Sequence, residues 1–229
     1  MEINQNLKEL NELTNENVRP FVEGACWADL IKTWSKAYDD WHFKDVPIFQ
    51  DGFQKDVTIN PYNSEWALRE LESTLKETCS GNNTKLMKSE ALRFYIHIVG
   101  DLHQPLHSAA VYSYKFPEGD LGGNLFTVQY KDYTQLHRLW DAGCDLYRDD
   151  TGPFLPLDYE GLMYYEAEAK ALASSFSRQY FEEELKKQKY GEWVEETYKK
   201  AIKYAYAKLK VGEELNNDYI REGQIVSQK

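Results

Sequence analysis

The chain lacks the features that would place it in several large classes. No run of eighteen uncharged apolar residues occurs, so no membrane-spanning helix is expected. With 13 Gly, 7 Pro and no long repeat or tract in 229 residues, collagen-like, coiled-coil and low-complexity architectures are excluded. Basic residues are outnumbered, 27 against 38 acids, for a net charge of −11. That balance argues against a general duplex binder held by phosphate contacts. It does not argue against binding phosphate through metal, because acids gathered around cations make a locally positive site. Cysteine is scarce and odd in number, at Cys26, Cys79 and Cys144. A reduced cytosolic protein carries that count easily, whereas a secreted one leaves a thiol over or pairs it outside this chain. The first residues, MEINQNLKELNELTNEN, have no basic start followed by an apolar run, and so read as no secretory signal.

What is present suits a folded globular chain. Apolar residues make up 42% and charged residues 28%, enough to bury a core in one domain or at most two small ones. Aromatics reach 14%, including 17 Tyr and 6 Trp. They serve helix packing or a surface that stacks bases or sugars, and the residues leave both readings open. Asn82-Asn83-Thr84 is a glycosylation sequon, a pattern common by chance.

Apolar spacing predicts mostly helices. Residues 1–18 form a polar helix with Leu7, Leu10 and Leu13, and residues 24–36 a second with Trp27, Ile31 and Trp34. Asn60-Pro61-Tyr62-Asn63-Ser64 offers a turn and an N-cap, followed by a helix with Leu68, Leu71 and Leu75 on one face. The strongest apolar segment, LMKSEALRFYIHIVGDLH over 86–103, should stop near Pro105. After the tight loop 120–124, residues 125–130 alternate and read as one short strand. Helices are then predicted from Thr134 to Arg148, over Leu162 to Phe176 and over Val194 to Leu209. No composition break marks a second domain. The expected fold is mainly α, a single-domain helical bundle with one short β segment.

The chemistry gathers around histidine. The chain has five, at 42, 97, 103, 107 and 137. His97 and Asp101 lie four apart, as do His137 and Asp141, so each pair shares a helix face. His103 and His107 have the same spacing, bent by Pro105. Zinc takes imidazole nitrogen and carboxylate oxygen together, and one helical turn can supply both. The spacing is weak by itself, because 38 of 229 residues are acidic and an acid at +4 often falls by chance. The setting is stronger: Asp101 sits inside the apolar run FYIHIVGDLH, and a buried carboxylate costs several kcal/mol unless a cation or donors compensate. Asp29 and His42 each read alone as a helix-surface acid and a half-buried histidine, but together with the later cluster they would complete a coordination sphere.

The ordered set FYIHIVGDLHQPLH, GDLGGN and QLHRLWD resembles the zinc-dependent class I nucleases of fungi and plants, with CWADLIK and WHFKD matching upstream motifs. These are single-strand nucleases and 3'-nucleotidases that share their fold with bacterial zinc phospholipase C. The resemblance is firm from about Trp27 to Tyr147 and looser to residue 229. It implies that Asp29, His42, His97 and Asp101 hold one zinc and that His107, His137 and Asp141 hold a second. His103 matches no ligand and reads as structural or surface. Asp45 would orient and activate the attacking water, with a solvated loop acid as the plain alternative. Lys32 stands near the phosphate where relatives often carry Arg, Phe43 would stack a base, and Asn124 would reach the substrate from its loop. The implied reaction is hydrolysis of phosphodiesters in single-stranded RNA and DNA and of 3'-nucleotides by a secreted, lysosomal or vacuolar monomer with no stable membrane association.

The sequence also departs from the pattern. The resemblance implies a third zinc, bridged by Asp101 and completed by an N-terminal Trp and a nearby histidine. No Trp-Gly-x-x-Gly-His-like start precedes Asp29, and no histidine precedes His42. The expectation is a chain lacking the family's N-terminal segment and C-terminal helix, with two zinc sites of its own and a third in the complete protein. Cys26 would then pair with the N-terminal segment. Two rivals stay open: a zinc phospholipase C acting on lipid, and an inactive metal-binding module.

Overall fold

The computed structural model describes residues 23–77, 81–148 and 157–229. The predicted helix over 1–18, Cys79 and the loop at Gly152, Pro153 and Pro156 lie outside them. The described residues form a mainly α fold, with only short strands between the helices. They cluster into two compact units. One is drawn from the segments ending at His42, spanning Tyr62–Asp101 and ending at Ala171; the other from Phe43–Pro61, the segment starting at Leu102, and Leu172–Lys229. Each unit takes three stretches of chain, so no single cut in the sequence separates them.

In the first unit, α1 (Trp27–Ile31) follows a 3-10 turn at Glu23–Cys26, and a second 3-10 turn covers Asp39–His42. The helix expected over 24–36 is therefore much shorter, and Trp34, expected on its apolar stripe, is 80% exposed. α2 (Ser64–Lys76) starts where the turn chemistry predicts: Oδ1 of Asn63 accepts from the N–H groups of Glu65 (3.0 Å) and Trp66 (3.3 Å). α3 spans Asn82–His103 and stops because Gln104, before Pro105, is extended at φ −80°, ψ 122°. Phe94 on α3 is the hub of the aromatic core. Trp27, Tyr38 and Trp41 approach its ring at 5.3, 4.9 and 5.3 Å. Arg93 is fully buried with its guanidinium over the Trp27 ring.

In the second unit, β1 (Val46–Phe49) pairs in parallel with β2 (Ala109–Tyr112), from Val46 opposite Ala109 to Phe49 opposite Tyr112. β3 (Thr127–Tyr130) pairs antiparallel with β4 (Tyr133–Gln135), and β5 (Glu213–Glu214) lies parallel on the other edge of β3. The one predicted strand is thus the centre of a three-stranded sheet. The helix expected from Thr134 to Arg148 shrinks to α4 (Leu136–Asp141), because residues 133–135 pair with β3. α5 spans Tyr159–Ser175 and crosses from one unit's segments into the other's. Its predicted stripe is not core: Gly161 is its one buried residue, and Tyr165 is 39% exposed. α6 (Tyr190–Lys200) runs into a π-helical turn at Ala201–Ala205 rather than continuing to Leu209, and α7 (Asn217–Ser227) follows. Leu106, Val111, Phe126, Leu136, Leu139 and Tyr206 belong to one buried cluster in this unit. Among the described residues, no helix is long and apolar enough to cross a membrane.

Candidate metal centre

Both units gather histidine and carboxylate in the same way. A helix supplies a His and an Asp one turn apart, and a 3-10 turn delivers another His to face them.

In the first unit, His97 and Asp101 stand on α3, His42 ends the 3-10 turn and Asp29 projects from α1. Nδ1 of His42 lies 2.9 Å from Oδ2 of Asp101 and 3.7 Å from Oδ1 of Asp29. Nε2 of His97 lies 3.1 Å from Oδ2 of Asp101, 3.5 Å from Oδ1 of Asp29 and 3.0 Å from Nδ1 of His42. Four donor atoms thus crowd within 2.9–3.7 Å of their neighbours. A tetrahedral ion with bonds near 2.0 Å would need donor spacings of about 3.3 Å. The chemistry of the set also fits, with two imidazole nitrogens and two carboxylate oxygens. Nδ1–H of His97 donates to the carbonyl of Ala25 at 2.5 Å, which leaves Nε2 to face the other donors.

Electrostatics follow from this crowding. Burial pushes the His97 ring down, but Asp101 and Asp29 outweigh it and raise the pKa to about 10. Burial raises Asp29, yet His97 and Lys32 hold its carboxyl well below the usual carboxylate range. His42 is lowered by burial, against the pull of Asp101. Lys32, expected at the phosphate, places Nζ 2.9 Å from Oδ1 of Asp29.

In the second unit, His137 and Asp141 stand on α4, and His107 ends the 3-10 turn Pro105–His107. Nε2 of His137 lies 3.4 Å from Oδ2 of Asp141, and Nε2 of His107 lies 3.6 Å from Oδ1. The two imidazole rings are 4.8 Å apart. Burial raises Asp141, while His107 and His137 outweigh it and lower the carboxyl. Nδ1–H of His137 donates to the carbonyl of Gly122 at 2.6 Å, again turning Nε2 toward the cluster. Asp29, His42 and His97 in the first unit, and His107, His137 and Asp141 in the second, each bring one ligand atom apiece within 4.8 Å of the others, close enough to hold a metal ion. Asp101 stands beside the two histidines of the first trio.

Three supporting groups escape sequence reasoning: the carbonyls of Ala25 and Gly122, and the side chain of Gln104. The Gln104 amide donates to Oδ1 of Asp141 at 2.7 Å, while its carbonyl accepts from the N–H of Leu106. Its place before Pro105, between His103 and His107, was the available signal. His103 stands apart from both sets, with its ring 5.3 Å from Trp193. Asp45 is half-buried just before β1, and the backbone N–H of the preceding Lys44 donates to the carbonyl of His107 at 2.8 Å. Phe43 is half-buried in the same stretch. Asn124 folds back on its own loop, with Nδ2 donating to the carbonyl of Leu121 at 2.9 Å. Cys26 is an exposed free thiol and Cys144 a buried one.

Relatives match parts of this chain. The chain is 32% identical over 145 residues to "Endonuclease 3" of Arabidopsis thaliana, covering 58% of this chain and 45% of that protein. It is 30% identical over 139 residues to "Nuclease S1" of Aspergillus oryzae, covering 58% and 44%. A stretch of 54 residues is 46% identical to "Endonuclease 4" of Arabidopsis thaliana, covering 23% and 16%. The chain spans about half the length of the curated relatives it matches. The sequence profile of the family described as S1/P1 Nuclease matches residues 3–229, and the chain belongs to that family.

Proposed function

We propose that this chain is a zinc-dependent phosphoric ester hydrolase, cutting phosphodiester bonds in single-stranded RNA and DNA and removing phosphate from 3'-nucleotides. The observation that carries the reading is the pair of His/Asp donor sets, each with atoms close enough together to share one cation. When bound, zinc lowers the pKa of its water into the neutral range and takes up charge developing on phosphate.

The chain's own residues do the rest. Asp29, His42, His97 and Asp101 hold one ion, and His107, His137 and Asp141 the second. The carbonyls of Ala25 and Gly122 keep His97 and His137 in the tautomer that leaves Nε2 available. Asp45 orients the attacking water and receives its proton. Lys32 neutralises Asp29 and offers phosphate a single point of charge. Phe43 stacks an unpaired base, and Asn124 contacts the substrate once its amide leaves the Leu121 carbonyl. Single strands suit this reading, because an unpaired base can stack on an aromatic while its phosphate meets a bound cation. The products are 5'-nucleotides and nucleosides. The enzyme acts as a monomer in a secreted, lysosomal or vacuolar setting.

The test is metal content and turnover together. Chelation should abolish hydrolysis of single-stranded RNA, and zinc should restore it. His137→Ala should lose one bound zinc per chain. Full zinc content and full turnover in that variant would overturn the assignment. Hydrolysis of a short-chain lipid micelle but not of RNA would favour a phospholipase, and zinc uptake without either activity a metal-binding module.

A further inference from the structure

The second donor set is tied to a part of the fold whose residues are not ligands. At the end of α6 the backbone widens into the π-turn Ala201–Ala205, and the N–H of Tyr206 returns to the carbonyl of Ala201 at 2.9 Å. Such turns are rare and often mark functional sites. Two tyrosine hydroxyls tie it to the second donor set, that of Tyr206, whose backbone closes the turn, and that of a second tyrosine that bonds to it.

Tyr206, only 4% exposed, donates to Oδ2 of Asp120 at 2.7 Å. Asp120 is fully buried, and its Oδ1 accepts from the N–H of Val111 at 2.8 Å. It opens the loop 120–124, in which Leu121, Gly122 and Gly123 all have positive φ. The Gly122 carbonyl takes Nδ1–H of His137, and the Gly123 carbonyl takes its backbone N–H at 3.3 Å. Glycine is required at 122, since a Cβ there would stand 2.4 Å from the Leu106 carbonyl oxygen. The second hydroxyl belongs to Tyr219 on α7. It donates to the carbonyl of Ala205 at 2.7 Å and accepts from the indole N–H of Trp140 at 2.9 Å. Trp140 immediately precedes Asp141.

We propose that the π-turn at 201–206 braces the second donor set: Tyr206, through Asp120, fixes the loop carbonyl that aims His137, and Tyr219, through Trp140, fixes the turn that carries Asp141. This rests on the reading that His107, His137 and Asp141 bind a cation. The physical reason is that three left-handed residues in a row have no helix or ladder to hold them. Backbone bonds from Asn124 to the Leu121 carbonyl at 3.2 Å and from Leu125 to the Asp120 carbonyl at 2.9 Å close the loop, and the buried Asp120 side chain adds the anchor that sets the direction of the Gly122 carbonyl. Removing one donor from a fully buried carboxylate loosens that anchor. The imidazole then keeps its tautomer but loses its aim. Tyr206 and Tyr219 are positioning residues.

The experiment uses the full chain carrying His97→Ala, so that Co2+ reports on the second set alone. Affinity is read by competition with a chromophoric chelator, and geometry by the visible d–d bands. Tyr206→Phe and Tyr219→Phe should each weaken Co2+ binding by about tenfold and change the band shape. Tyr198→Phe is the control: its hydroxyl bonds the Pro47 carbonyl at 3.0 Å, so its loss should lower thermal stability and leave the cobalt signal alone. Unchanged affinity and bands in both tyrosine variants would overturn the brace, and so would an equal loss in Tyr198→Phe. If either variant fails to fold, the other decides. Failure of the parent protein to take up Co2+ would overturn the metal reading of this set and the brace with it, and is told apart because the parent itself fails.

Discussion

The residue that best exposes the logic of the first donor set is His97. Two carboxylates and a second imidazole surround its Nε2, and in the metal-free protein a proton supplies the positive charge they need. Its folded pKa of about 10 lies above the ordinary 6.5, so the protonated ring stabilises the metal-free fold. That stabilisation is fully present below pH 6.5 and is lost as pH rises through about 10. The thermal midpoint of the chelator-treated protein should therefore fall over that window, and His97→Gln should flatten the fall. A midpoint independent of pH in the parent would contradict the arrangement. Asp45 makes a different prediction. Asp45→Asn should hold zinc normally while kcat drops on the order of 10²–10⁴-fold, the usual worth of a positioned general base. Normal turnover would return Asp45 to a plain loop acid. His97 and Asp101 were legible as a pair because one helical turn separates them. The supporting carbonyl of Ala25 was not, since backbone carbonyls leave no mark in a sequence and the partner lies 72 positions away.

At the scale of elements, α2 and α3 came through because their apolar spacing and their stop signals agree. Asn63 caps α2 with two backbone donors on one side-chain oxygen, so Asn63→Ala should cost about 1 kcal/mol. Chemical denaturation at constant slope is the measurement, and an unchanged midpoint would deny the cap its role. Elsewhere local spacing misled. Residues 133–135 fit a helix pattern yet form a strand, because β3 offers them a ladder that begins only two residues back. Trp34 has helical spacing from Ile31 but follows the end of α1, and a large aromatic at 80% exposure is visible only once the chain has turned. α5 forms where its period predicts, yet none of Leu162, Tyr165, Ala169, Leu172 and Phe176 is buried. Periodicity reports which residues share a face, and burial depends on what that face meets.

For the whole molecule, charge sets the mode of substrate attraction. A chain at −11 has no general pull on a polyanion, so under the proposed function phosphate would be drawn by cations held in the donor sets. The metal-free protein should leave the anisotropy of a fluorescent single-stranded oligonucleotide unchanged at physiological salt, and zinc loading should raise it. Equal binding in both states would place the nucleic-acid contact away from the donor sets.

The order of the motifs, the pairing of His97 with Asp101 and of His137 with Asp141, and the predominance of helix all follow from the sequence, because each is a relation within a few residues or in chain order. The delivery of His42 and Asp29 to α3, the parallel pairing of Val46 with Ala109, and the tyrosine links of the π-turn belong to the tertiary structure alone. Those contacts join residues from 14 to 86 positions apart. Their energy depends on which buried groups must find a partner once water has left, and no local pattern records that choice.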